Sequence, residues 1–543
     1  MRAQGLLLAA ALLVPLLMAA CCLLRPARAR APSLLVFASL PALLAALILP
    51  EGSYAIFPPP FRLTLVLDAP GAILLGGAAL LWSAAGAYAA TYMARDPEAP
   101  AFAIWWLLTL AGCLGLFIVG DVVNFYLLFT LASLAAYGLV THEQTIPAHR
   151  AGRVYVVLAL LGEAFLLLAL VMLAAGHPDA NPPIREVVAA LPASPMRGGI
   201  LALLILSFAL KMGLFPLHVW LPLAHPAAPM PASAVLSGIV VKAGVIGLIR
   251  FLPLEAGLPF WGTVLILAGL FTAYYGVALG MTQRRAKTIL AYSTVSQMGL
   301  LAVILGAGLE NADAGAASLA AYYAVHHMLV KGALFLAIGI LAMAGAAQWR
   351  ILLVLTGILA LSLGGMPLTS GALAKLAAKP LFGYGLLGDA MAVAGAGSTL
   401  LMLHLLLTLA RGARGEPASS APRGLLFPWL AVVVASLAVP WALYPAISGE
   451  TVANLLAPAA LWKLLWPMLL GGAALLLLHR WARGAGRVPE GDIIVLAERG
   501  GPALDRAGAA VAWADAQLRR WEVAGVLLVG LTVLLGGALL LGA

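Results

Sequence analysis

Seven ionisable residues stand inside long apolar stretches of this sequence: Glu163, Lys211, Lys242, His326, His327, Lys331 and Lys375. An ionisable side chain at membrane depth is costly to keep there, so each is a candidate for chemistry by default. Lysine can release its proton when it is stripped of water, whereas arginine keeps its charge. The chain divides the two accordingly: every arginine falls in a polar connection or at the edge of an apolar run, and nearly every lysine falls within or close to one. That is how a protein needing switchable cations would use them. Lys379 and Lys463 lie near the ends of apolar runs and can instead reach the headgroups.

His326, His327 and Lys331 share one run, and the spacing of four between His327 and Lys331 puts them on one face of a helix. Histidine titrates near neutral pH and can hand on a proton. A lone buried histidine is more often a packed core residue, and His404 reads that way. No carboxylate or further histidine clusters with the pair, which argues against a metal centre. Glu163 is the one acid well inside a run; Asp121 stands at a boundary where it can equally cap a helix, and Asp68 and Asp389 are also near edges.

Lys211 opens Lys211-Met-Gly-Leu-Phe-Pro-Leu-His218, and Lys375 follows Gly364-Gly-Met-Pro-Leu-Thr-Ser-Gly371. Glycine and proline interrupt both runs. Interruptions at matching places in two halves of a membrane protein point to its binding region, because freed backbone groups can hold water or an ion. A plain proline kink is the alternative.

These residues need apolar elements to position them. The chain has 543 residues, 63% hydrophobic and 10% charged. A soluble domain is near half apolar and a quarter charged, so a soluble enzyme, a nucleic-acid binder and a disordered chain are excluded. Windows of about 20 apolar residues predict sixteen spans, near 5–24, 32–50, 71–93, 101–119, 121–140, 153–175, 199–221, 233–252, 258–280, 289–307, 316–345, 352–378, 388–410, 424–445, 459–479 and 523–542. The first resembles a signal peptide as well, although nothing of soluble character comes after it. With the N-terminus outside, the inner segments carry 20 basic residues and the outer ones 5. This asymmetry supports the count, places both termini outside, and accounts for a net charge of +10 without nucleic acid. Cys21, Cys22 and Cys113 lie in apolar runs and form no disulfide or cluster spacing, and no nucleotide loop is present, so no cofactor is expected on the chain. Between residues 481 and 522 acids, arginines and apolar residues mix, with Leu504, Val511 and Leu518 seven apart. That reads as an amphipathic helix on the inner surface, or as a solvated connector.

At these residues the chain resembles a known family: the antiporter-like subunits shared by respiratory complex I, Mrp-type cation/proton antiporters and membrane-bound hydrogenases. The resemblance is carried by Lys211-Met-Gly-Leu-Phe-Pro-Leu-His-Val-Trp-Leu-Pro-Leu-Ala-His-Pro-Ala-Ala-Pro229, Ser237-Gly-Ile-Val-Val-Lys-Ala-Gly244 and Ala291-Tyr-Ser-Thr-Val-Ser-Gln-Met-Gly299. His327-Met-Leu-Val-Lys-Gly-Ala-Leu-Phe335 and Gly365-Met-Pro-Leu-Thr-Ser-Gly371 extend it. It covers about residues 65–445, and its wording is nearest the hydrogenase-type members. It implies an all-α polytopic membrane protein of about 14 core transmembrane helices plus a C-terminal extension. It also implies two inverted five-helix repeats, each with a broken helix, at about 101–253 and 258–411. The organisation expected is then N-terminal helices over 1–100, repeats over 101–253 and 254–411, and C-terminal helices over 412–480. The surface segment over 481–522 and a final span over 523–543 complete it.

The resemblance further implies a proton path through Lys211, Lys242, His327 with Lys331, and Lys375, with His326 beside it. In the family the first lysine pairs with a glutamate two helices earlier, within Asp121-Val-Val-Asn-Phe-Tyr-Leu-Leu-Phe-Thr-Leu-Ala-Ser133; here that position is Thr130. Glu163, one helix later, is the obvious substitute. The expectation is a proton-translocating subunit of the cell (inner) membrane with no redox centre of its own. It would be a non-catalytic part of an oxidoreductase or antiporter complex, with other membrane subunits as partners. Protons suit lysines and histidines, whereas sodium wants a cage of oxygens. A stand-alone transporter of a small solute or cation, or a structural subunit with a partly vestigial channel, are the rival readings.

Overall fold

The computed structural model describes residues 2–57, 62–383, 385–412, 420–451, 455–481, 488–495 and 509. The expected surface helix around Leu504, Val511 and Leu518 and the final span over 523–543 lie outside them. The chain divides into two units, residues 1–490 and 491–543. Of the second, the described part is a turn leading into three helical residues, 493–495, and residue 509.

The first unit is almost entirely helical. It begins with α1 (Arg2–Cys21), α2 (Arg25–Leu34) and α3 (Leu40–Ile48), then a β-hairpin of β1 (Gly52–Phe57) and β2 (Leu63–Leu67). After it come α4 (Ala69–Tyr92), α5 (Ala99–Ile118), α6 (Val122–Val140), α7 (Ile146–Ala174), the short α8 (Ile184–Ala190) and α9 (Arg197–Met212). Next are α10 (Trp220–Ala227), α11 (Met230–Val235), α12 (Lys242–Phe251), α13 (Pro259–Met281), α14 (Ala286–Asn311) and α15 (Gly315–Leu341). The last are α16 (Ala346–Gly364), α17 (Ser370–Phe382), α18 (Leu386–Gly412), α19 (Arg423–Ser448) and α20 (Pro458–Trp481).

Among the described residues thirteen helical segments are long and apolar enough to cross a membrane. Two of the three spans missing from the sequence count are the runs that glycine and proline interrupt: 199–221 divides into α9 and α10, and 352–378 into α16 and α17; the third, 523–542, lies outside the described residues. The other thirteen expected spans before residue 480 each coincide with one of the long segments. The chain is a multi-pass membrane protein.

Burial sorts the helices. The apolar windows of 230–251 and 286–311 are wholly buried and that of 315–341 is 94% buried, whereas that of 458–478 is 17% buried. A helix that is apolar all round belongs in the middle of a bundle. The segment from α11 to α12, together with α14 and α15, therefore forms the core, and α20 lies at the periphery.

The residues at 51–68, read from sequence as a connection, form the hairpin instead. Its strands pair antiparallel from Gly52–Leu67 to Ala55–Thr64, with a register shift before Phe57–Leu63. Polar ends then tie it down. Asp68 caps α4 by accepting from the Gly71 amide at 2.9 Å, and its carboxylate forms a bidentate pair with Arg250 at the end of α12. Asp121 caps α6, as its boundary position allowed. Fully buried, it accepts from the Asn124 amide, the Thr64 amide and the side-chain amides of Asn124 and Asn181 at 2.7–3.0 Å. Four donors can hold a carboxylate without a cation.

Candidate functional site

Both helix breaks end in a left-handed glycine. Lys211 occupies the last turn of α9, which stops at Gly213 (φ +76°); α16 stops at Gly365 (φ +96°), and Lys375 lies beyond that break on α17. A side chain at either glycine would be strained, since L-residues avoid positive φ. So one lysine precedes its break and the other comes after it.

Lys211 is 4% exposed. Its ammonium donates to Ser133 Oγ on α6 at 2.8 Å and to Tyr155 Oη on α7 at 3.4 Å. Tyr155 in turn donates to the Ser133 carbonyl at 2.8 Å. The rings of Phe129 and Tyr155 lie 5.4 and 5.8 Å from the ammonium. Glu163, 5% exposed on α7, faces the same enclosure. Its carboxylate interacts electrostatically with Lys211 and lies against Ser133 and Thr130. Neither Glu163 Oε1 nor Thr130 Oγ1 has a hydrogen-bond partner among the described residues. Thr130 and Ser133 are three apart and share a face of α6. The carboxylate thus sits beside the threonine where the family pattern leads one to look for a glutamate. Lys211 is hydrogen-bonded to the serine and tyrosine, not to Glu163.

Lys242 is the first residue of α12, directly after a π-helical turn over Leu236–Val240. Such turns are frequent at functional sites, and the extra residue they insert re-aims the side chains beyond them. The Lys242 ammonium donates to the Ser237 carbonyl at 3.0 Å and meets His327 Nδ1 at 2.5 Å. The other nitrogen of His327, Nε2, is buried without a hydrogen-bond partner among the described residues. Lys331 shares a helix face with His327 but has its own anchor, the Leu290 carbonyl of α14 at 2.9 Å. His326 points elsewhere. Its Nδ1 meets Ser370 Oγ at the start of α17 at 2.9 Å, and Ser370 reaches Ser362 on α16 at 3.2 Å. Adjacent histidines on α15 therefore address different halves: His327 the segment carrying Lys242, His326 the second break.

Lys375 donates to the Gly364 carbonyl, one of the groups the break sets free. It lines a cavity of about 440 Å³ that Tyr323, Lys379, Asp389 and Lys463 also line. The Tyr323 ring lies edge-on to His326 at 5.9 Å, and its hydroxyl donates to Gln297. It spans the interval between the histidine pair and Lys375.

Three contributors escaped sequence reasoning. Ser133 and Tyr155 are polar residues of ordinary type, and nothing in their spacing singles them out. His225 on α10 was visible inside the motif but carried no argument; it is fully buried, and neither ring nitrogen has a hydrogen-bond partner among the described residues. Its neighbours include Lys331, Lys287 and Lys242, close enough for their charges to be felt. His404, read as a bland residue, bonds the Gln283 carbonyl at 2.8 Å. No group of three metal-ligating side chains occurs among the described residues.

Two broken helices around an axis of buried lysines and histidines define a polytopic bundle with a polar interior. Residues 119–399 match the transmembrane family of NADH:quinone oxidoreductase and Mrp antiporter subunits, and the chain belongs to that family. Hydrogenase-4 component B of Escherichia coli (strain K12) is 30% identical over 300 residues, 52% of this chain and 44% of that one. The chain spans between 25% and 62% of the length of the curated relatives it matches. Its fold is shared with the Mrp complex from Dietzia sp. DQ12-45-1b, at a TM-score of 0.77 and 22% identity over 100% of this chain and 63% of that one. The archaeal membrane-bound sulfane sulfur reductase has a chain with TM-score 0.68 and 20% identity, covering 87% of this chain and 99% of that one.

Proposed function

We propose that this chain is a proton-translocating subunit of a larger membrane assembly. The observation that carries the reading is the pair of adjacent histidines on α15. One contacts Lys242 directly and the other contacts the first residue of α17. That arrangement supports a relay between the halves. A proton leaves the Glu163–Lys211 enclosure for Lys242, passes to His327 and the neighbouring Lys331, and crosses through His326 towards Lys375. Water bridges the intervals that side chains do not close. His225 serves the central lysines from the α10 side. The cavity at Lys375 is the exit, outward-facing on the orientation the basic residues give.

The switch rests on Glu163. A carboxylate near a lysine favours its charged form. A charge change in a neighbouring subunit that draws Glu163 away would free Lys211 to pass its proton on. α5, α6, α7, α9/α10 and α11/α12 make five spans with the break in the fourth, and α13, α14, α15, α16/α17 and α18 repeat that order. An odd number of spans inverts the second set, which supports two inverted repeats. Relatives and neighbours named as parts of Mrp, respiratory and hydrogenase systems support the assembly. The test is proton flux in vesicles carrying the assembled complex. Lys242→Ala should abolish it, a loss of about a hundredfold or more, with subunit composition unchanged. Flux that survives in the variant would leave a scaffold.

A further inference from the structure

Lys379 and Lys463 take no part in the proton path, yet both line the cavity at Lys375. Lys379 is in the last turn of α17 and Lys463 in the second turn of the peripheral α20. They come close enough for their charges to repel. With Lys375 they set three ammonium groups against one carboxylate, Asp389, and none of the three forms an ion pair among the described residues. Like charges gathered in excess of counter-charge at the edge of a low-dielectric region call for an anion. The walls are of a different kind: Phe382 and Trp466 are apolar and aromatic. The neighbouring α20 is mostly unburied among the described residues. A cavity of about 440 Å³ is within the range of small-molecule sites.

We propose that this cavity binds the phosphate of an anionic phospholipid, with Lys379 and Lys463 as its ligands and the aromatic walls against its glycerol and upper acyl chain. Free phosphate would satisfy the lysines but not the walls, and a neutral lipid the walls but not the lysines. The phosphate places a fixed negative charge at the mouth without occupying Lys375.

The full chain in mild detergent, titrated with phosphatidylglycerol, phosphatidylcholine and inorganic phosphate and monitored by native mass spectrometry, tests this. Phosphatidylglycerol should bind about thirtyfold more tightly than phosphatidylcholine, as expected for two lysines at a lipid phosphate. Lys379→Gln with Lys463→Gln should erase the preference, and Lys379→Arg with Lys463→Arg should keep it. In the unmodified chain, phosphatidylglycerol should also shield Lys379 and Lys463 from an amine-reactive label, which removes any dependence on variant folding. Equal binding of the two lipids, a preference that survives in the glutamine pair, or no shielding would overturn the proposal. Displacement of phosphatidylglycerol by millimolar inorganic phosphate would make it a free-anion site and equally end the lipid assignment. None of these readouts involves flux, so the outcome is independent of whether the chain conducts protons.

Discussion

In the first broken helix the lysine comes before the break and is closed in by side chains; in the second it comes after the break and opens on a cavity. Lys211 is held by Ser133 and Tyr155 with Glu163 alongside. Lys375 is held by a backbone carbonyl and shares its space with two more lysines and an aspartate. An enclosed cation beside a carboxylate that does not bond it is suited to switching by a change in that carboxylate's charge or position. A cation in a wide port has water on hand and can exchange. On the proposed reading, the same sequence device, glycine and proline in a span, serves as a switch at one end of the axis and as a port at the other.

The sharpest way to break that comparison is to remove each lysine in turn. Lys211→Ala in the assembled complex should reduce proton flux about a hundredfold or more, the scale on which a positioned proton-transfer group contributes. Lys375→Ala should cost less, about tenfold, because water in the cavity can stand in for part of the transfer. Equal losses would mean that the second lysine is as enclosed in function as the first. A larger loss at Lys375 would reverse the roles.

Next in size is the carboxylate. Glu163→Gln should lower flux about tenfold while leaving assembly intact, since it removes the charge and keeps the shape. Adding Thr130→Glu to that variant should restore most of the loss, because the threonine faces the same enclosure. Unchanged flux in Glu163→Gln would remove the switch from this half altogether. Smaller still is the link between halves. Ser370→Ala takes away the His326 partner at the start of α17 and should slow flux severalfold, with the Lys211 enclosure untouched.

Much of the buried axis is legible in the sequence. Buried lysines announce themselves because hydrocarbon makes them expensive, and the two breaks announce themselves through Gly213, Pro216, Gly365 and Pro367. The features that stayed hidden have a physical reason in each case. The hairpin at Gly52–Leu67 is short, and the groups that hold it, Asp121 on the Thr64 amide and the Asp68–Arg250 pair just beyond it, join residues far apart in sequence. The opposite aims of His326 and His327 arise from their being adjacent on a helix, about 100° apart, but which partner each meets is set by tertiary packing. That Glu163 reaches the face bearing Thr130 could be suspected from its being the one acid in a span, whereas Ser133 and Tyr155 had no such singularity.

The weakest expected effect lies outside the bundle and marks where the comparison stops. Asp96, between α4 and α5, accepts from His142 at 2.8 Å and from the Glu98 amide at 2.8 Å. Partial burial pushes its carboxyl up, but these bonds outweigh it and hold the group below the usual carboxylate range. A carboxyl with a lowered folded value adds stability that is fully present above its unfolded value, near 3.9, and is lost as pH falls through the folded one. Asp96→Asn should therefore reduce stability at pH 7 by less than about 1 kcal/mol, the carboxylate being about a third exposed. Melting curves of the two proteins should converge below about pH 4. Proton flux at neutral pH should be unchanged, because neither residue touches the buried axis. A flux defect in Asp96→Asn without loss of assembly would show that the inner connections belong to the path, and that a contrast between two broken helices is too small a frame for it.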